Sequence, residues 1–547
     1  MKILLMVLLW LFTSFECEKN AGTEVKNPEI SGQEIVQNRY PIFAGRTNDN
    51  FLSIKFSVTI DSKPLILTGA EIVFSRGSQT SGLAEIMIKH SDRVREGSSN
   101  SFFGSATTIS NRVRVSGNCE LAGGIHFLKV GFNLKNNPDL LTGFQVTEVK
   151  LSFKNHPDVL MTTSGKFTYR PALVLRSAGQ DHVDTYRIPG LVTTSKGTLI
   201  AVYDIRYNNS KDLQEDIDIG MSRSTDGGQT WEAMKVVMDM GEYGGRSKRL
   251  NGTGDPCVLF DPKTRTIWVA ALWITCATTD QLAWWASKPG LTPEETGQFM
   301  LVKSTDDGLT WSKPINITQQ IKEPGWQLLL QGPGRGIVTK SGTLVFPAQF
   351  KADLGTKSID GGQYTCHSTI VYSKDGGGSW QIGTGARSNT TEAQVVELSD
   401  GSLMLNMRDD RNRADKGETN GRAVSVTSNF GQTWTRHPSS NSALQEPNCM
   451  ASLIGTEVEI SGKLQQVLFF SNPDSKTDRN HMTIKASLDD GLTWPQSMQV
   501  ELNSENGYGY SCLTMVDPKT IGIVYEGVKE LYFEKIAVSD LLGTLVK

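Results

Sequence analysis

One short phrase, Ser-x-Asp-x-Gly-x-Thr-Trp, constrains this chain more than any other feature, because it recurs. It reads Ser224-Thr-Asp226-Gly-Gly228-Gln-Thr230-Trp231, then Ser304-Thr-Asp306-Asp-Gly308-Leu-Thr310-Trp311, and it returns at Ser373 to Trp380 and Ser487 to Trp494. A fifth copy, Thr427 to Trp434, carries Asn429 in place of the aspartate. The closing tryptophans at 231, 311, 380, 434 and 494 lie 80, 69, 54 and 60 residues apart. Such periods suit one four-stranded sheet per repeat, as in a propeller blade, and are too long for most helical solenoids. Within each phrase Asp is suited to hold backbone amides one or two residues on, Gly supplies a positive φ, and Trp packs back over the sheet. The boxes therefore read as structural turns. A calcium loop at Asp306-Asp307-Gly308 or Asp489-Asp490-Gly491 lacks the spaced Asp/Asn ligands and distal Glu that it needs.

The 547 residues carry a net charge of −3 and offer no basic stripe for nucleic acid. Glycine is abundant, at 53 residues, and helix-period runs are scarce, so the expected class is all-β. Alternation is plain in Ile54 to Ile60 and Val149 to Phe153. Residues 22–165 contain no box and about seven short alternating runs, which predicts a β-sandwich. After a turn at Thr163-Ser-Gly165, residues 169–547 have room for a six-bladed propeller in which one blade lacks a box.

Met1-Lys2 followed by an apolar run from Ile3 to Phe15 reads as a secretory signal spanning residues 1–17. The expected location is the periplasm, the outer membrane or the exterior. Membrane attachment would come only through a lipidated Cys17, and Glu16 stands where a lipoprotein box has a small residue. Cysteines 119, 257, 276, 366, 449 and 512 show no CxxC or Cys/His spacing, so buried thiols are favoured over disulfides or a metal site.

Functional residues of a propeller come from different blades and are scattered in sequence. Tyr186-Arg187-Ile188-Pro189 precedes the strand Leu199 to Tyr203, which runs into Asp204-Ile-Arg206. With these motifs the chain resembles the bacterial exo-sialidases (neuraminidases) of the Asp-box glycoside hydrolase family, whose first blade opens with Phe/Tyr-Arg-Ile-Pro. The resemblance runs from about Tyr169 to the C-terminus. It implies that Arg187, Arg408 and Arg479 clamp the sialic acid carboxylate, a role that suits planar, permanently charged guanidinium groups. It implies that Tyr510 is the nucleophile and Glu392 its base, and that Asp212, six residues after Arg206, is the acid/base on a loop. Glu215, Asp216 and Asp218 compete for that last role. Arg206 and Asp255 would contact the sugar near its 4-hydroxyl and N-acetyl groups, and Glu526 would hold Arg187 in place. Arg335, in Gly332-Pro-Gly-Arg335-Gly336, stays outside the catalytic set.

The pairing has a chemical reason. Sialic acid carries a carboxylate on its anomeric carbon, which repels an anionic nucleophile but not a neutral phenol, and a phenol with pKa near 10 needs a base. No metal or organic cofactor is needed. The implied partners are sialylated glycans of glycoproteins, gangliosides and oligosaccharides. Two other functions compete: a non-catalytic sialic-acid-binding lectin or adhesin, and a trans-sialidase with Trp273, Trp284, Trp285 or Trp326 at the acceptor rim. The N-terminal region is either a carbohydrate-binding module, with Phe102-Phe103 as stacking aromatics, or a spacer.

Overall fold

The computed structural model describes residues 27–48, 50–60, 62–92, 101–163 and 167–546. The expected signal segment and Cys17 lie outside them. Within these residues the protein is all-β, with eight sheets and only short helices such as Ala283–Ala286 and Val538–Leu542.

Two sheets are built from the N-terminal region. One orders Ile30–Gln37, Leu52–Val58, Gly124–Leu134, Leu83–Asp92 and Ser101–Ala106; the other orders His156–Thr162, Val146–Lys154, Leu65–Phe74 and Arg112–Leu121. Nine strands replace the seven or so expected. One reason is Asn155, which at φ 57° and two residues before Pro157 splits an apparently continuous run into two strands. Alternate residues Leu52, Ile54, Phe56 and Val58 face a core shared with Ile72, Val149, Leu151 and Phe132. Tyr169 closes that core, its hydroxyl donating to Phe51 O at 3.0 Å. Of the candidate stacking pair, Phe102 is exposed and Phe103 buried.

Six sheets follow. Their first strands are Thr185–Thr193, Thr253–Asp261, Leu328–Gln331, Thr390–Glu397, Ser452–Ile460 and Ser511–Asp517. Thr185–Thr193 packs beside Thr253–Asp261 and Ser511–Asp517, and Ser452–Ile460 beside Thr390–Glu397 and Ser511–Asp517. Of the second strands, Leu199–Arg206 and Leu344–Ala352 are buried along their whole length, which accounts for their continuous apolar runs. The last sheet is completed by a strand from the other end of the chain, Pro171–Arg176, antiparallel to Leu531–Ala537. The N-terminal region joins it too: Ile42–Phe43 pairs in parallel with Pro171–Ala172.

Each box sits between the third and fourth strands of its sheet. In the first, Ser224 Oγ donates to Asp226 Oδ1 at 2.8 Å and accepts from Gly228 N at 2.9 Å, and Thr230 N donates to Asp226 Oδ1 at 2.9 Å. The aspartate thus holds an amide four residues on, further than expected, because it caps the whole turn. Asn429 reproduces the pattern, accepting from Thr433 N at 3.0 Å. The tryptophans also reach neighbouring sheets: Trp231 meets Phe533 edge-on at 5.1 Å, and Trp380 meets Trp268 at 6.0 Å.

Candidate active site

Three of the first strands carry a one-residue bulge where a candidate site residue stands. Register slips between Arg187 and Gly190, between Gly254 and Cys257, and between Thr390 and Ala393. Ile188 (φ 58°), Asp255 (φ 60°) and Asn389 (φ 56°) take left-handed backbone at these points. The first two precede Pro189 and Pro256, residues a sheet tolerates only at edges or bulges. Bulges re-aim side chains, and here they turn Arg187, Asp255 and Glu392 toward one end of the sheets.

Tyr510 is the centre of the cluster. Its hydroxyl donates to Glu392 Oε1 and accepts from Arg408 Nη1 at 3.1 Å, and the same Nη1 donates to Glu392 Oε2 at 2.6 Å. The guanidinium carbons of Arg187 and Arg479 stand 5.1 and 5.6 Å from the centroid of the Tyr510 ring. Burial, reinforced by the Glu392 carboxylate, pushes the phenol well above its usual range, although Arg408 and Arg479 pull the other way. The free site therefore holds a neutral phenol already hydrogen-bonded to its acceptor.

Glu526 binds this group together from beneath. Its side chain is 0% exposed and accepts four hydrogen bonds: Arg187 Nε (3.1 Å) and Ile188 N (2.8 Å) on Oε1, Arg187 Nη2 (3.4 Å) and Tyr510 N (2.9 Å) on Oε2. The third arginine, Arg479, in the loop between Pro473 and Met482, donates to the backbone oxygens of Tyr508 at 2.9 Å and Asn448 at 3.3 Å. Asn448 also accepts from Arg408 Nη2 at 2.9 Å, so one asparagine orients two arginines.

Asp212 reaches the cluster from the loop after Arg206, with its side chain 72% exposed. Oδ1 accepts from Arg187 Nη1 at 3.1 Å and Arg206 Nη1 at 2.9 Å. Partial burial opposes its ionisation, but Arg206 and Arg187 outweigh it and hold the carboxyl below its usual range. Arg206 itself is almost wholly buried; Nε and Nη2 bind Asp204 at 3.0 and 2.8 Å, so it meets the cleft through Asp212. Asp204 also accepts from Asp255 N at 2.8 Å. Burial, with the carboxylates of Asp204, Asp212 and Glu392 around it, raises the Asp255 carboxyl well above the usual range. Its ionised form is therefore disfavoured relative to an exposed aspartate.

A cleft of about 340 Å³ is lined at one end by Asp212, Asp255, Glu392, Arg408 and Tyr510, and at the other by Leu272, Leu328 and the Trp284-Trp285 pair. Arg187 and Arg479 flank the Tyr510 ring, and Arg187 Nη1 donates to Asp212 at the edge of the cleft. The competing acids lie elsewhere: Glu215 is paired with Arg249 at 2.6 Å, and Asp218 accepts from Tyr207 at 3.1 Å. Arg335 donates to Leu513 O, away from the cleft. Of the rim tryptophans, Trp273 is buried and Trp326 stacks on Phe350 at 4.0 Å. Trp285 is half exposed beside Trp284, whose Nε1 donates to Asp360 at 2.8 Å, with Lys351 Nζ over both rings. Among the described residues no group of three or more His, Cys, Asp or Glu could hold a metal. Sequence reasoning missed Asp204, Asn448 and Lys351-Asp360. Asp204 was within reach, since alternation puts it on the face of Arg206; Asn448 lies in a loop with no motif.

A family profile described as a BNR repeat-like domain matches residues 197–523. A sialidase of Bacteroides fragilis is 45% identical over 438 residues, covering 80% of this chain and 77% of its own. The solved structure of the Hadza microbial sialidase Hz136 has a TM-score of 0.82 at 39% identity, over 93% of this chain and 99% of that one. The Trypanosoma rangeli sialidase in complex with 2,3-difluorosialic acid shares the fold at 22% identity, with a TM-score of 0.52 over 66% of this chain and 55% of its own. The chain belongs to the bacterial sialidases of the BNR-repeat, or Asp-box, family and is an exo-α-sialidase.

Proposed function

We propose that the protein hydrolyses terminal α-linked sialic acids of glycoproteins, glycolipids and oligosaccharides with retention, through a covalent sialyl-tyrosine. The observation that carries this reading is the meeting of three arginines, Glu392 and the neutral Tyr510 hydroxyl at one point. The arginines bind the substrate carboxylate and focus positive potential where negative charge collects. As the substrate carboxylate engages Arg187, Asp212 loses one of its two cationic partners and takes up a proton more readily. Tyr510 Oη then attacks the anomeric carbon and passes its proton to Glu392, while Asp212 protonates the departing glycosidic oxygen. In the second half, water attacks the anomeric carbon and gives its proton to Asp212. The Tyr510 oxygen leaves, taking its proton back from Glu392, and α-sialic acid is released. Asp255 contacts a substituent of the sugar ring.

A lectin would keep the arginines but has no use for a phenol hydrogen-bonded to a carboxylate, and the Tyr510–Glu392 contact favours the hydrolase. We further read the six C-terminal sheets as the blades of a propeller (169–547) and the two N-terminal sheets as a sandwich (22–165). The apolar run Ile3 to Phe15 supports export. Proton NMR of a sialoside during turnover tests the chemistry: the first product signal should be the α anomer, and a first-formed β anomer would overturn retention.

A further inference from the structure

A second cavity, of about 500 Å³, borders the catalytic residues and is used by no step above. Gly507 and Gly509 line it, while Tyr510, next in the chain, lines the cleft. Its other walls come from both regions of the protein: Asn38, Tyr40 and Asn50 on one side, Asn480, Asn506 and Tyr532 on the other. The walls are held apart by fixed contacts. Arg39 O accepts from Ser504 N at 2.6 Å, Arg46 binds both oxygens of Glu530 at 2.9 Å, and Phe43 lies 4.4 Å from Tyr532. The cavity is thus preformed, which lowers the cost of ligand ordering.

Its chemistry is narrow. The charged groups on its inner wall are already engaged, Glu526 with Arg187 and Arg479 with two backbone oxygens. What remains is the exposed Glu505, side-chain amides and aromatic rings. Asn38, Asn50, Asn480, Asn503 and Asn506 all line it, and a carboxamide can both donate to and accept from a hydroxyl group.

We propose that this cavity is a second carbohydrate subsite, built jointly by the two regions, for a neutral pyranose whose hydroxyls pair with the asparagines and whose apolar face rests on the aromatic rings. The assignment of a glycan as ligand rests on the sialidase reading; the neutral sugar is either an internal residue of the cleaved chain or part of a separate glycan.

The test uses the full-length protein, a neutral tetrasaccharide (lacto-N-neotetraose) observed by saturation-transfer NMR, and two variants. Asn50→Leu removes a lining amide at similar volume, and Asn506→Trp fills the exposed mouth without touching the core. Binding by the wild type, weakened about tenfold or more in both variants, is expected, with hydrolysis of a 4-methylumbelliferyl sialoside within about twofold of wild type. If kcat/KM for the sialylated tetrasaccharide falls in parallel, the sugar belongs to the cleaved chain; if it holds while binding is lost, the glycan is a separate one. No saturation transfer with the wild type, or transfer undiminished in Asn506→Trp, overturns the subsite. Silence of the wild type toward the small sialoside would instead defeat the sialidase reading and leave the binding result standing.

Discussion

Replacing Glu526 by Gln probes how far the catalytic cluster depends on one buried carboxylate. Gln has nearly the same shape but only one acceptor oxygen, so two of the four donors now gathered on Glu526 would face an NH₂ group. Each orphaned buried donor costs about 1–3 kcal/mol, and removing one partner of a buried ion pair costs about 3–5 kcal/mol. These descriptions overlap, since Arg187 is both the ion-pair partner and two of the donors, and we expect a total of about 3–5 kcal/mol. Asp212 remains as a counter-ion to Arg187 and keeps the loss from the top of that range. The cluster is misplaced as well as weakened, because Ile188 N and Tyr510 N bind different oxygens of Glu526 and one of them loses its anchor. A misplacement of about 2 kcal/mol in the transition state lowers kcat/KM roughly 30-fold. Urea denaturation followed by tryptophan fluorescence, beside kinetics on a 4-methylumbelliferyl sialoside, reads both effects. A variant that unfolds with the wild type and keeps its kcat/KM would refute the reasoning.

Asp212→Asn should lower kcat about 10²–10⁴-fold on a natural sialyl-galactoside, where the leaving group needs a proton; a much smaller loss is expected on a 4-methylumbelliferyl sialoside, and equal losses would remove Asp212 from the acid role. The pH profiles carry a related signature. Arg206 and Arg187 hold Asp212 ionised in the free enzyme, and substrate takes Arg187 away, so the limb that falls with rising pH should lie lower in kcat/KM than in kcat. Coincident limbs would contradict this. The box turns predict an acid-stability effect: hydrogen bonds from Thr310 and from Ser379 depress Asp306 and Asp375 to about 2. Depressed folded values mean that the stabilisation is complete above the unfolded carboxylate range and is lost as pH falls through about 2. Asp306→Asn, which copies the natural Asn429 box, should fold and show less loss of thermal stability in that window, which melting curves between about pH 5 and 2 would measure.

The repeat made the C-terminal sheets legible, because a turn that must end in Trp after a fixed Ser-Asp-Gly spacing marks the third-to-fourth strand junction of each sheet. The boxless last sheet was harder, since half of its pairing comes from Pro171–Arg176 and Ile42–Phe43, distant in sequence. Arg187 and Asp255 were named through the resemblance, and each stands at a bulge beside a proline, Pro189 or Pro256. Asn448 and the Lys351-Asp360-Trp284 unit were not legible, because their roles arise from loops meeting across sheets. Arg206 was named through the resemblance; in the structure Asp204 holds it, and its Nη1 donates to Asp212.

The central claim is that Tyr510 forms a bond to the sugar. Incubating the protein with 2,3-difluorosialic acid, digesting it and weighing the peptide that contains Gly507 to Cys512 tests it directly. One sialyl adduct on Tyr510, absent from Tyr510→Phe, is the expected result. An active enzyme that carries no adduct, or carries it on another residue, would contradict the claim.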